Sequence, residues 1–189
     1  MFCSSIDHAM KQLRSKTQIK RFLEAAEMRE MDVAFLLQDW ADGYNVGGMF
    51  RVADACGAVE IFASGKTPTL ENPMVGVTSM GAHRRVPFHH FARHDEAVAA
   101  AKAVGYTLVA VEVADSAVSY TEFEYPDKLC LVLGSEGGGI YGNVLKQCDA
   151  AVFIPMAGKG RSINVHVAAA VVAFHARCSP TALSSESDC

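Results

Sequence analysis

A mostly parallel α/β sheet with helices on both faces is the fold that three features of this 189-residue sequence predict. Short apolar runs recur along the chain, stretches of helical pattern separate them, and a glycine-rich turn follows one run at its carboxyl end. The length suits one domain, able to bury on the order of 70% of its unfolded surface without disulfides or a structural metal.

The elements follow in order. Over residues 6–30, Met10, Leu13, Phe22, Leu23 and Ala26 recur at the spacing of an apolar helical face, so a short helical N-terminal extension is expected over 1–32. Buried strands are expected at 33–37, 59–63, 106–111, 129–133 and 150–154, and helices at 46–56, 94–104, 140–148 and 162–177. Together they define a main domain over 33–178. From 179 the chain is rich in serine and small residues, which predicts a flexible tail. No internal repeat is present.

Composition narrows the setting. The six cysteines, Cys3, Cys56, Cys130, Cys148, Cys178 and Cys189, have no C-x-x-C spacing, which argues for reduced thiols in a cytoplasmic protein and against a zinc site or a secreted framework. His83, His89, His90 and His94 form no metal-ligand pattern with carboxylates or cysteines, so no metal is expected. No targeting segment opens the sequence and no unbroken apolar run reaches about 18 residues, so no membrane partner is expected. A formal net charge of −4 does not exclude nucleic acid, because RNA is held by local positive surface. Lys11, Arg14, Lys16, Lys20 and Arg21 form such a stretch, although a solvated helix face accounts for it equally well.

Three segments carry candidate chemistry. In Asn45-Val46-Gly47-Gly48-Met49-Phe50-Arg51, Asn45 is a candidate N-cap, and a helix starting there hangs the Arg51 guanidinium over bare glycine backbone. Exposed amides, a helix dipole and a forked cation describe a phosphate site; a plain cap with glycines for close packing is the alternative. In Leu133-Gly134-Ser135-Glu136-Gly137-Gly138-Gly139 a buried strand runs into a turn where α/β sheets bind ligands, but neither the dinucleotide fingerprint nor a P-loop is present. In Ile154-Pro155-Met156-Ala157-Gly158-Lys159-Gly160-Arg161-Ser162-Ile163-Asn164-Val165-His166 a glycine-rich basic loop leads into an apolar helix, expected to be buried almost all round and capped by Ser162.

In this order, and with Thr78-Ser79-Met80-Gly81-Ala82-His83-Arg84 between them, the segments resemble the motifs of the SpoU, or TrmH-like, RNA 2′-O-ribose methyltransferases of the SPOUT superfamily over about 33–177. The resemblance implies a C-terminal deep trefoil knot, which runs against the general rule that chains avoid knots. It further implies a homodimer and methylation of a ribose 2′-hydroxyl in RNA from S-adenosylmethionine. Asn45, Arg51, Glu136, Ser162 and Asn164 match the catalytic positions. Gly134, Ile154 and Ile163 match cofactor-holding ones, with Met156 and Gly138 completing the expected cofactor set. His166 stands where many relatives carry serine, and Ile163 where leucine is usual. Gly43-Tyr44 replaces the aspartate-proline approach common before Asn45.

Arginine keeps its proton in proteins, with a pKa above about 12, so Arg51 is expected to clamp phosphate and stabilise a developing alkoxide rather than act as base. His166 is the alternative base, set against a structural histidine at the dimer interface. Arg51, Arg84, Lys159, Arg161, Lys16 and Lys20 are the expected RNA contacts, with tRNA preferred over rRNA. The competing function is a knotted RNA-binding protein without catalysis. A nicotinamide oxidoreductase fits the fold class but lacks its glycine fingerprint.

Overall fold

The computed structural model of the protein describes residues 12–179. Seven strands form one sheet: β1 (Asp32–Gln38), β2 (Glu60–Ser64), β3 (Phe88–Phe91), β4 (Thr107–Val111), β5 (Val118–Ser119), β6 (Lys128–Leu133) and β7 (Ala150–Phe153). Their order is β3-β2-β1-β6-β4-β7-β5, and every pairing is parallel. The helices are α1 (Lys16–Glu24), α2 (Gly43–Ala55), α3 (Pro73–Ser79), α4 (His94–Val104), α5 (Gly142–Leu145) and α6 (Val165–Cys178), with a single 3-10 turn at Ala82–Arg84.

Strand side chains alternate between two cores, as the period of 2 requires. Val33, Phe35 and Leu37 of β1 join Ile61, Leu131 and Val109 under α2, α3 and α6. Ala34 and Leu36 join Phe62, Leu108 and Val132 under α4 and α5. Helices therefore cover both faces, which is why β1 and β6 are almost continuously apolar. Fully burying each of the larger aliphatic or aromatic side chains contributes about 1.5–3 kcal/mol. From β1 the chain builds outward through β2 and β3, then restarts beyond β6 with β4. The crevice at the carboxyl ends of β1, β6 and β4 is thus the switch point where such sheets take ligands.

Several expectations change. The helix expected at 46–56 begins earlier, because Asp42 rather than Asn45 is the N-cap, accepting from the Tyr44 amide at 2.8 Å. The last helix starts at Val165, capped by Asn164 rather than Ser162, with the Asn164 carboxamide oxygen accepting from His166 N at 3.1 Å. It is not buried all round: Val167 and Phe174 lie about two turns apart on an exposed stripe. Among the described residues of the N-terminal extension, helix covers Lys16–Glu24, with no buried residue in it; residues 1–11, Met10 and Lys11 included, lie outside the described residues, as does the tail from 180. The extension is tied down at Arg29, whose amide donates to Arg177 O (2.8 Å) and whose guanidinium meets Asp127 (2.6 Å).

Candidate active site

The carboxyl edge of the sheet is organised by the turn after β1. Asp39 adopts a left-handed conformation (φ 58°), which aspartate tolerates better than most residues. Its carboxylate accepts from Lys66 N (2.8 Å) and the Tyr141 hydroxyl (2.6 Å), and these bonds, the Tyr141 one foremost, hold its pKa below the usual carboxylate range. Asp42 then caps α2, which leaves the Asn45 side chain free on the helix's first turn. There it is buried and doubly bonded: its Nδ2 donates to Glu136 Oε1 at 2.7 Å, and its Oδ1 accepts from Asn164 Nδ2 at 2.9 Å. Glu136 Oε2 also accepts from Ala41 N at 3.3 Å. One residue from each of the three sequence motifs thus meets in a single hydrogen-bonded relay, Asn164 to Asn45 to Glu136.

The loop carrying Glu136 is held rigidly. Ser135 and Gly139 exchange backbone hydrogen bonds (3.1 and 3.0 Å), and Gly138 N donates to Ser135 Oγ (3.1 Å). A methyl group added at Gly134 would overlap the Gly139 carbonyl carbon, so only glycine lets the two backbones pass. Buried Gln38 fastens the far end: its Oε1 accepts from Tyr141 N at 2.7 Å, and its Nε2 donates to Gly139 O at 3.4 Å.

Beside the relay lies a cleft of about 530 Å³ between the loops after β4, β6 and β7. Gly134, Ile154, Met156 and Ile163, expected to hold the cofactor, line it, as do Ser162 and Arg161. Gly138 stands outside that lining, its amide spent on Ser135. An apolar wall of Ile154, Ile163, Val165 and Ala168 facing glycine backbone suits a purine ring bound edge-on to main-chain groups. The donor and acceptor set fits an adenosyl ligand.

Arg51 is not part of this cleft. It projects from α2 into a separate hollow of about 410 Å³ with Gly48, Met80, Phe174 and His166. Gly48 is glycine because the His166 ring lies against it, three ring atoms standing 3.0 Å from where a Cβ would be. Burial first, and then the Arg51 charge, hold the His166 pKa below the usual histidine range. Its Nδ1 is buried without a partner, so the ring is a neutral imidazole at neutral pH. Gly47 gives room to Thr78 of α3. The remaining expected RNA contacts are exposed: Lys16 and Lys20 on α1, the latter 3.5 Å from Glu24, Arg84 on the 3-10 turn, and Lys159 and Arg161 on the loop before α6.

Two contributors escaped sequence reading. Gln38 and Glu112 sit directly at strand carboxyl ends, and their place on the parallel sheet's ligand-binding edge was the signal available.

Known proteins resemble the chain along this whole architecture. A tRNA (guanosine(18)-2′-O)-methyltransferase of Thermus thermophilus is 31% identical over 164 residues, covering 87% of this chain and 84% of its own. The enzyme of the same name from Escherichia coli K12 is 29% identical, covering 85% and 69%. Among solved structures, the SpoU methyltransferase AviRb from Streptomyces viridochromogenes superposes with a TM-score of 0.71 at 26% identity, covering 82% of this chain. The AdoMet-bound rRNA methyltransferase from Sinorhizobium meliloti gives 0.72 at 25%, again over 82%. This chain spans 62% and 59% of the length of those two. The model of the SpoU rRNA methylase family matches residues 32–174, and the chain belongs to that family.

Proposed function

We propose that the protein transfers a methyl group from S-adenosylmethionine to a ribose 2′-hydroxyl of RNA, tRNA in preference to rRNA. The observation that carries this reading is the Asn164–Asn45–Glu136 relay beside an adenosyl-sized cleft. The preference for tRNA rests on the Thermus thermophilus relative, matched over most of both chains. A catalytically inactive knotted RNA-binding protein has no feature in its favour, since each motif residue is present.

When bound, S-adenosylmethionine supplies an activated methyl group on a sulfonium leaving group. Gly134, Ile154, Met156 and Ile163 would hold it, with Gly138 shaping the loop. The chain's remaining task is to place and activate a poorly nucleophilic hydroxyl. Asn45 and Asn164 are fixed by the relay and keep Glu136 in a set geometry beside the ribose, to which Ser162 is added from the open loop before α6. From its hollow outside the cleft, Arg51 clamps the phosphate next to the target ribose and through it favours negative charge developing on O2′, since a guanidinium cannot act as a base at neutral pH. Lys16, Lys20, Arg84, Lys159 and Arg161 extend the positive surface along the RNA backbone, which makes binding steeply salt-dependent.

The working unit is a homodimer. The exposed stripe of Val167 and Phe174 on α6, with Met80 at 75% exposure beside it, is the apolar face a second copy would cover. The 33–178 domain carries the catalytic machinery and a C-terminal trefoil knot of the family type, and α1 serves RNA. The free thiols Cys56, Cys130, Cys148 and Cys178 suit the cytoplasm. Among the described residues no helix is long and apolar enough to cross a membrane.

The test is incubation with labelled S-adenosylmethionine and separate tRNA and rRNA pools, followed by mapping of 2′-O-methyl nucleotides. Wild type labels tRNA. Arg51→Ala loses on the order of 10²–10³ in rate while binding S-adenosylmethionine normally. Methylation retained in Arg51→Ala overturns the role given to Arg51.

A further inference from the structure

Glu112 follows β4, belongs to none of the three motifs, and lines the cleft. Its Oε1 accepts from Val113 N (2.9 Å) and its Oε2 from Ile140 N (3.1 Å), so one carboxylate straps the loop after β4 to the loop after β6. The approach depends on Gly139 (φ +62°), where a Cβ would stand 2.5 Å from Glu112 Oε2. A carboxylate offers about four lone-pair positions, and the two amides occupy only two of them. Glu136, the other carboxylate of the cleft, is turned to Asn45 and Ala41. Glu112 therefore lines the cleft with acceptor positions to spare, and unlike Glu136 it is tied to no motif side chain. This chain lacks the dinucleotide fingerprint, but a carboxylate at the carboxyl edge of a parallel sheet is chemically suited to ribose hydroxyls, as the acidic residue of dinucleotide-binding sheets shows.

We propose that Glu112 is a specificity-determining residue whose carboxylate accepts hydrogen bonds from the ribose hydroxyls of a bound adenosyl group while strapping together the two loops that enclose it. The proposal rests on the methyltransferase reading of the cleft. It predicts selection for an intact ribose diol and no special preference for the sulfonium charge.

Calorimetric titration of the full chain tests it with S-adenosylmethionine, S-adenosylhomocysteine and the 2′-deoxy and 3′-deoxy forms of S-adenosylhomocysteine. Wild type is expected to bind at least one deoxy form about tenfold or more weakly than S-adenosylhomocysteine, the scale of a lost charge-assisted hydrogen bond. Glu112→Ala is expected to weaken S-adenosylmethionine and S-adenosylhomocysteine by similar factors and to erase the penalty for the missing hydroxyl. If Glu112→Ala weakens every ligand equally and keeps that penalty, the residue is only a strap and the proposal is overturned. Selective loss of S-adenosylmethionine overturns it in favour of a contact to the sulfonium. If Glu112→Ala does not fold, wild type still decides: equal affinity for the deoxy forms and S-adenosylhomocysteine overturns the proposal. Wild type that binds none of these ligands instead overturns the cofactor reading itself.

Discussion

The cleft is walled by two glycine-rich loops that use glycine for opposite purposes. Loop 134–140 is packed backbone against backbone, closed by the Ser135–Gly139 pair and fastened by Gln38, Glu112 and Asn45. Loop 155–163 is exposed at every position, and Gly158 has open space around its Cα. Among the described residues it is joined to the rest of the chain by no hydrogen bond. The first loop is a preformed surface, closed by its own hydrogen bonds. The second, which carries Lys159, Arg161, Ser162 and Ile163, is held by few contacts, and it places the residues proposed for cofactor and for RNA in one open segment.

The contrast can be broken most forcefully at Gly134. Gly134→Ala forces a methyl group into the Gly139 backbone and is expected to cost about 3 kcal/mol or more in urea denaturation. A loss below about 1 kcal/mol would show that the loop yields and is not preformed. Next comes Glu136→Ala, which leaves the buried Asn45 amide without its acceptor and should cost about 1–3 kcal/mol in the same assay, with a larger proportional loss in single-turnover methylation.

A smaller effect is expected from pH. His166 has a folded pKa below its unfolded one, so stability is level above about pH 6.5 and declines as pH falls from there toward the folded value, because only the unfolded chain gains the proton. His166→Ser should flatten that decline; an unchanged thermal-melt profile between pH 5 and 7 would show that another group causes it. The smallest effect is reserved for the open loop, where Gly158→Ala should shift stability by no more than about 0.5 kcal/mol. A shift comparable to that of Gly134→Ala would abolish the distinction between the loops.

The long elements were legible in sequence because both faces of the sheet are covered: β1, β6 and α4 lie where apolar runs and helical spacing put them. Short or edge elements were not. β3 carries His89 and His90 on its exposed flank and so lacks an apolar run, and β5 has only two residues. The caps went wrong for a local reason. Asp42 and Asn45, like Ser162 and Asn164, are competing caps a few residues apart, and only the turn entering each helix decides between them. The motif residues could be named from sequence, but their union in one relay could not, since Asn45 and Asn164 stand 119 positions apart. Separation of Arg51 from the cleft is likewise a property of the packed helices α2 and α6.

Trp40, the chain's single tryptophan, is fully buried at the turn after β1, with its indole Nε1 donating to Leu133 O at 3.4 Å. That carbonyl immediately precedes Gly134, the start of the rigid loop. The protein therefore contains its own optical reporter: Trp40 emission monitors one well-defined place, and a ligand that tightens or strains the loop changes the signal without any attached dye. Because the indole is shielded from water in the folded chain, the same emission also reports unfolding, so binding and stability are readable from one residue.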